Sequence, residues 1–510
     1  MLSHPPIQVS DFERHVQLML AHDGILFAQE YESIEPGQQY MCENSELEVN
    51  KPKNRYENVL AYDHSRVILR SMDGGPAAAG IDYINANFVD GFRKQNAYIA
   101  TQGPLPTTFT DFWKMLWEQR SSAIVMMTRV EENHKVRCHQ YWPDKGSQMY
   151  GPFTVTLQDI VELAHYTIRT FVVSTREVQQ FQFTSWPENG VPDNPMPLLL
   201  FMRRAKFLIT PDSGPVIVNC SAGCGRSGVY IVVDSMLDRI KHSRTFDVYG
   251  HVTCLRCQRN YMVQTEDQYV FIHRALLAAV KYGNTEVPTR NFRSHYERLT
   301  RRMSAVGNLV YTDAAYVDSY MFQKSYILAS SPHRETIENF WKMILNSKCQ
   351  HIVTISDADD EKDDSICYWP LDRPLRFARF VVEFIDEYNK IDYFVRQFTV
   401  TVVETGLTVI VKQLHVTTWN ERCLLAVAKE VQKIRQHKSK LNVTPITIHC
   451  SDGWGKSGVV ATLLTIIERL QFEGVVDIFQ TVYMARHQKP GFIANEVMLL
   501  SFLFYKSIIA

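Results

Sequence analysis

The chain has 510 residues, 45% hydrophobic and 21% charged, with a formal net charge of -1. This is an ordinary globular balance, and it supplies no overall field that would favour nucleic acid or an acidic membrane surface. At roughly 150 residues per domain, the length calls for about three domains or two large ones.

The opening "MLSHPPIQVSDFERHVQLML" is broken throughout by acidic and polar residues, so it is not expected to be a signal peptide. No run of about 18 apolar residues occurs, so no membrane span is expected. The cysteines, at 42, 138, 220, 224, 254, 257, 349, 367, 423 and 450, are scattered. Cys254 and Cys257 form a lone CxxC without a second pair, which argues against both a disulfide framework and a zinc site. The expectation is a reduced, cytoplasmic chain, membrane-associated if it belongs to a longer receptor.

Along the first half, "TTFTDFWKMLWEQR" (107–120) has the period of an amphipathic helix, with Phe112 and Trp113 expected in the core. "SAIVMMT" (122–128), "YTIRTFVV" (166–173) and "PVIVNC" (215–220) read as strands, and "DQYVFIHRALLAAV" (267–280) as a helix. Strands alternating with long helices imply an α/β (α+β) domain, a twisted mixed sheet flanked by helices.

The pattern then repeats. "AYIATQGPLPTTFTDFWKMLWEQRSSAIVMMT" from 97 returns as "SYILASSPHRETIENFWKMILNSKCQHIVTIS" from 325, an offset of 228. "CHQYWP" at 138 returns as "SICYWP" at 365, and Cys220 returns as Cys450. A near-constant offset over more than 200 residues marks a duplicated domain rather than a solenoid unit. The turn formers and proline of "KYGNTEVPTR" (281–290) place the boundary, giving domains at 1–283 (core about 53–281) and 284–510.

The chemistry gathers in "VIVNCSAGCGRSGVYIVV" (216–233). A glycine-bearing turn between a strand and a helix aims backbone N–H groups at one point, and the helix dipole adds positive potential there. A nucleotide P-loop needs G-x-x-x-x-G-K-[ST]. "CSDGWGKS" (450–457) comes close, but a cysteine stands where the first glycine should be, as Cys220 does in the first half. A cysteine inside an anion cradle is favoured as thiolate and acts as a nucleophile. With five residues between them, Arg226 can face it across a bound anion and hold two phosphate oxygens at once. The pair is suited to taking a phosphoryl group onto sulfur.

"NCSAGCGRSG" resembles the signature loop of the protein tyrosine phosphatases. The resemblance extends through "NKPKNRYENVLAYDHSRVIL" (50–69), "DYINANFVDGFRKQNAYIATQGPLP" (82–106), "QYWP" (140–143), "WPENGVP" (186–192) and "QTEDQYVFIH" (264–273). With the tandem arrangement and the N-terminal segment, the chain looks most like the cytoplasmic portion of the LAR-type receptor phosphatases. The resemblance implies hydrolysis of phosphotyrosine proteins through a phosphocysteine on Cys220, with phosphate held by Arg226 and the loop residues Ser221, Ala222, Gly223, Cys224 and Gly225. It implies that Ser227 hydrogen-bonds the thiol and that Tyr56 stacks on the substrate ring. It further implies that Gln264 and Gln268 position the hydrolytic water and that Glu188 is the general acid on a mobile loop. No metal or organic cofactor is expected, since thiolate and arginine supply the charge a metal would.

Three positions depart from the family. Asn219 stands where the family has histidine, Glu188 where it has aspartate, and Cys224 where it has valine. They suggest reduced activity in the first domain. The second departs further: Lys456 replaces the arginine, Asp452 puts a carboxylate in an anion loop, and Trp454 is bulky. "TTWNERC" (417–423) lacks the proline and the aspartate, the counterpart of Gln264 is Ala494, and "KNRY" has none. Cys450 and Lys456 therefore mark a degenerate site in an inactive domain that contacts protein partners. The competing reading is a pseudophosphatase that binds phosphotyrosine or serves as a scaffold.

Overall fold

The computed structural model describes residues 4–37, 39–70, 80–210, 213–291, 314–356, 367–371, 373–436 and 443–493. The chain divides into two compact units, Met1–Asn284 and Thr285–Ala510. No helix among the described residues is long and apolar enough to cross a membrane.

The first unit is built on a nine-stranded mixed sheet. Its strands are β1 (Arg66–Ile68), β2 (Tyr83–Gly91), β3 (Lys94–Thr101), β4 (Ala123–Met126), β5 (Ser147–Tyr150), β6 (Phe153–Glu162), β7 (Tyr166–Val173), β8 (Arg176–Phe183) and β9 (Val216–Asn219), in the spatial order β1-β2-β3-β9-β4-β8-β7-β6-β5. The central strands β3, β9, β4 and β8 run parallel, and the flanking strands pair antiparallel. Strands covered on both faces read as short apolar runs rather than alternating ones. Thus Ile124, Val125, Ile217 and Val218 are all fully buried. Helix α1 (Phe109–Glu118) sends Phe112, Trp113, Met115 and Leu116 into one core cluster with Ile124, Phe171 and Ile217. Helices α2 (Met196–Leu208), α3 (Gly225–Ser243), α4 (Val248–Gln258) and α5 (Glu266–Tyr282) complete the cover, with α3 packed on α5.

The second unit repeats the plan with eight strands: β10 (Ala314–Val317), β11 (Tyr326–Ser330), β12 (His351–Ile355), β13 (Leu375–Arg376), β14 (Phe380–Lys390), β15 (Tyr393–Val402), β16 (Thr408–Val416) and β17 (Ile446–Cys450). Their order is β10-β11-β17-β12-β16-β15-β14-β13, again with four parallel strands at the centre. Helices α6 (Ile337–Asn346), α7 (Glu421–Gln436), α8 (Lys456–Glu473) and α9 (Ile478–Gln488) accompany it. In both units the cysteine lies at the C-terminal end of a central parallel strand, leading into the longest helix. This is the end at which ligands bind in open sheets of this kind.

The units differ at their N-terminal ends. In the first, a two-residue strand Ile7–Gln8 pairs with Thr245–Phe246, just after α3. In the second, Val287–Pro288 pairs with Val475–Val476, just after α8. Ile7 and Tyr98 are 91 residues apart, whereas Val287 and Tyr326 are 39 apart, so the second unit is 52 residues shorter between equivalent landmarks. The stretch that carries Tyr56 falls in this interval.

The same anchor holds each core. Trp113 donates its indole N–H to the Tyr141 carbonyl at 2.8 Å, and Trp341 donates to Tyr368 at 2.9 Å. Both indoles are fully buried. Trp113→Ala should destabilise the first unit, and Trp341→Ala the second, by about 3–5 kcal/mol each. Denaturant melts resolving two transitions should show each substitution moving one transition and sparing the other.

Candidate active site

The loop after β9 owes its shape to groups behind it. Gly223 has φ +75°, and a Cβ there would lie 2.2 Å from the Thr101 carbonyl oxygen, so only glycine fits. Arg259, fully buried, donates to the Gly223 and Ala222 carbonyls at 2.8 and 3.0 Å. Its other N–H groups reach the side-chain oxygens of Asn87 and Asn85. Pulling these carbonyls outward leaves the amides facing in: the Gly223 N–H donates to Cys220 Sγ at 3.2 Å. Arg55 braces the neighbouring strand end through the Gly103 carbonyl, and Gly103 N–H donates to the Ser221 carbonyl.

Arg226, in the first turn of α3, is gripped by Glu132. Its guanidinium donates to Oε1 at 2.6 Å and Oε2 at 2.9 Å, a planar two-pronged pair. Burial pushes the Glu132 carboxyl up, but Arg226 and the donors Arg129 N–H and Thr128 Oγ1 outweigh it and hold the carboxyl below its ordinary 4.5. Arg226 also donates to the Pro187 carbonyl at 3.3 Å and lies over the buried Trp186 ring. The loop carrying Glu188 is thereby tied to the arginine. Glu188 itself is exposed and accepts from the Asn133 N–H at 3.2 Å. One hairpin, Glu131–Glu132 paired with Lys135–Val136, thus holds both the arginine and the carboxyl of the acid loop.

Most of the expected residues converge here. The Tyr56 hydroxyl lies 2.7 Å from Ser221 Oγ, which donates to the Arg137 carbonyl. A Cβ on Gly225 would come within 3.0 Å of the Gln268 amide and 3.2 Å of Gln264 Cβ, so both glutamines sit at the head of α3. Gln264 is exposed and Gln268 buried. Cys224 is fully buried and its thiol is pushed up to about 12, first by burial and then by Cys220 nearby, so it is inert. Ser227, expected against the thiol, is buried with no hydrogen-bond partner for Oγ. Asn219 Oδ1 is likewise buried and unpartnered, and its Nδ2 reaches only Cys138 Sγ, at 3.9 Å. Glu132, Arg259 and Asn133 escaped the sequence reading. A buried carboxylate inside "RVEENHK" carries no local signal of burial.

Comparison with known proteins agrees with this geometry. The family described as Protein-tyrosine phosphatase matches residues 50–278 and 294–505. The chain belongs to the protein-tyrosine phosphatase family. It is 46% identical to receptor-type tyrosine-protein phosphatase F of Danio rerio, over 97% of this chain and 29% of that protein. It is 46% identical to receptor-type tyrosine-protein phosphatase S of Gallus gallus (97% and 37%) and 44% identical to tyrosine-protein phosphatase Lar of Drosophila melanogaster (97% and 28%). The chain therefore spans well under half the length of these relatives.

The second phosphatase domain keeps what the first has lost and loses what the first keeps. His449 is buried, with Ser331 Oγ at 3.1 Å on Nδ1 and both Thr354 Oγ1 and Tyr368 OH at 2.8 Å on Nε2. Burial, with His415 nearby, lowers it to about 3, so the ring is neutral. Lys489 takes the place of Arg259 and donates to the Leu328 carbonyl at 3.3 Å. The loop that carries Glu188 has been shortened: nine residues lie between Trp186 and the start of α2 at Met196, but one lies between Trp419 and the start of α7 at Glu421. Asn420, after Trp419, instead caps that helix through the Cys423 N–H. Asp452 Oδ1 accepts from the Trp454 N–H at 3.0 Å, the Gly455 N–H at 2.9 Å and the Cys450 thiol at 3.0 Å. Read from sequence as a hostile charge, Asp452 is bonded through Oδ1 by its own loop. Ala494 lies outside the described residues.

The Glu132–Arg226 pair predicts an acid limb of stability. The folded carboxyl is held below 4.5, so its contribution is complete above that pH and is lost as pH falls through the folded value. Glu132→Gln should cost about 1–3 kcal/mol at neutral pH. It should also flatten the fall in urea midpoint of the first transition between neutral and acid pH.

Proposed function

We propose that the first domain hydrolyses phosphotyrosine in proteins and that the second is a non-catalytic partner domain that contacts other proteins. Arg226 carries the reading. It stands six residues after Cys220 at the head of α3, bonded at once to Glu132 and to the acid loop through Pro187. An arginine positioned this way offers two parallel N–H groups to a phosphoryl dianion beside the sulfur.

In this mechanism Cys220, as thiolate, attacks phosphorus; the S–P bond forms as the bond to the tyrosyl oxygen breaks. Glu188 delivers its proton to that leaving oxygen. Arg226 and the loop amides stabilise the charge on the transferring group. Water, positioned by Gln264 and Gln268, then attacks the phosphocysteine. Glu188 takes up its proton, the S–P bond breaks, and phosphate leaves. Tyr56 walls the pocket for an aromatic substrate.

Turnover is proposed to be slow for two reasons. Asn219 leaves a buried oxygen without a partner where His449 has three hydroxyl neighbours. Glu188 extends its carboxyl one methylene further than aspartate, and general acid catalysis depends on hydrogen-bond geometry.

Phosphate release from an aryl phosphate by the full chain should vanish in Cys220→Ser and persist in Cys450→Ser. Equal loss in both would refute the division of labour. Phosphopeptide binding without any release would identify a pseudophosphatase instead.

The two defects should separate by leaving group. Glu188→Asp should raise turnover of phenyl phosphate, a poor leaving group, and barely affect an activated nitrophenyl ester. Asn219→His should raise both. If neither reversion raises turnover in a folded, phosphate-binding protein, slow chemistry has another origin.

A further inference from the structure

The loop of the second domain has the bend of the first. Gly453 has φ +75°, and a Cβ there would lie 2.5 Å from Ser330 N, the same constraint that Gly223 meets against Thr101. The amides of Trp454 and Gly455 correspond to those of Cys224 and Gly225, at the head of an 18-residue helix. Asp452 occupies the place of Ala222, whose methyl group offers no acceptor. Three donors, two amides and the Cys450 thiol, meet on a single oxygen of Asp452 within 3.0 Å. Lys456 stands in place of Arg226, with Nζ 5.9 Å from the Trp419 ring centre.

We propose that the second loop is an oxyanion-binding site occupied by its own Asp452 carboxylate, and that inorganic phosphate binds there only when that carboxylate is withdrawn. The proposal rests on the reading of this domain as a non-catalytic phosphatase fold. Amides turned to one point at a helix head favour negative charge. A tethered carboxylate meets that demand at an effective concentration that free phosphate does not match. The same oxygen accepts the thiol proton, which binds Cys450 into the closed site. The thiol is pushed up to about 12 by burial and by Asp452, consistent with that bond.

The test uses the full chain, treated with iodoacetamide with and without inorganic phosphate, and reads alkylation at Cys450 alone by peptide mass mapping. Phosphate bound in the first domain does not register at that peptide. In the wild type, Cys450 should react slowly, at a rate indifferent to phosphate. In Asp452→Ala it should react at least about tenfold faster, a change of one pKa unit in the thiol, and phosphate should slow it saturably. Asp452→Asn keeps an oxygen on the amides without the charge; it should react faster than wild type and gain no protection. Phosphate protection in the wild type would overturn the proposal, as would its absence in an Asp452→Ala chain that retains the second melting transition. If Asp452→Ala loses that transition, equal rates for Asp452→Asn and wild type overturn it. Aryl phosphate turnover by Cys220→Ser that disappears on adding Cys450→Ser would refute the non-catalytic reading instead, whatever the protection result.

Discussion

Backbone amides gathered at the head of a buried helix have to be answered by negative charge. Each domain places such a cluster at the end of its central parallel strand, because the strand–glycine turn–helix connection forces the N–H groups inward. In the first domain, Arg259 reinforces this by drawing the Gly223 and Ala222 carbonyls away. A small side chain at Ala222 leaves room for a phosphoryl group. In the second domain, an aspartate at the same place meets the same demand from within. Much of the remaining difference between the domains follows. A loop that supplies its own anion has no use for a forked arginine or a long loop after the tryptophan, and the second domain has Lys456, a one-residue link after Trp419, and a 52-residue shortening that takes in the Tyr56 segment.

The supports of the cysteine have diverged in opposite directions. Behind Cys450, His449 sits in a closed set of hydroxyls from Ser331, Thr354 and Tyr368, with Gln413 donating to the latter two at 2.8 Å. Behind Cys220, Gln180 still donates to the Tyr141 hydroxyl at 2.8 Å. The histidine is replaced by Asn219, the threonine by Met126 and the serine by Gly103. A buried polar network is stable when every member is satisfied and costly when one is not. The second domain keeps the satisfied network around a cysteine that is closed off. The first keeps the arginine and cradle around a cysteine whose support is incomplete.

The fold was legible because its signals are local and repeated. Apolar runs such as "YTIRTFVV" coincide with β7, and the offset between halves revealed the duplication without any knowledge of the fold. The cradle was legible too, since cysteine, glycines and arginine lie within seven residues. What stayed hidden depends on distant partners. Glu132 is 94 residues from Arg226, and nothing in a polar hairpin marks it as buried. Arg259 lies in "CQRN", where an arginine normally reads as a solvated helix end. Asp452 was legible as an oddity, but charge alone did not reveal that its own loop would bond it. The shortening that includes the Tyr56 segment needed the pairing of Val287–Pro288 with Val475–Val476 to be located.

The hairpin at 131–136 bears on how a glutamate at 188 is held. It holds Arg226 through Glu132 and receives the Glu188 carboxyl on the Asn133 N–H, so the arginine and this carboxyl share one element. A glutamate swings its carboxyl through one more rotatable bond than an aspartate, and that freedom opposes the tight geometry proton transfer needs. A backbone donor at 3.2 Å removes part of the freedom by giving the carboxyl a defined resting place. The Pro187 carbonyl on Arg226 ties the loop to the arginine, while the longer side chain finds its partner on the hairpin. The position of the Glu188 carboxyl is then set by Asn133 and that of its loop by Pro187 and Arg226, so the longer side chain at 188 stays tied to the same hairpin as the arginine.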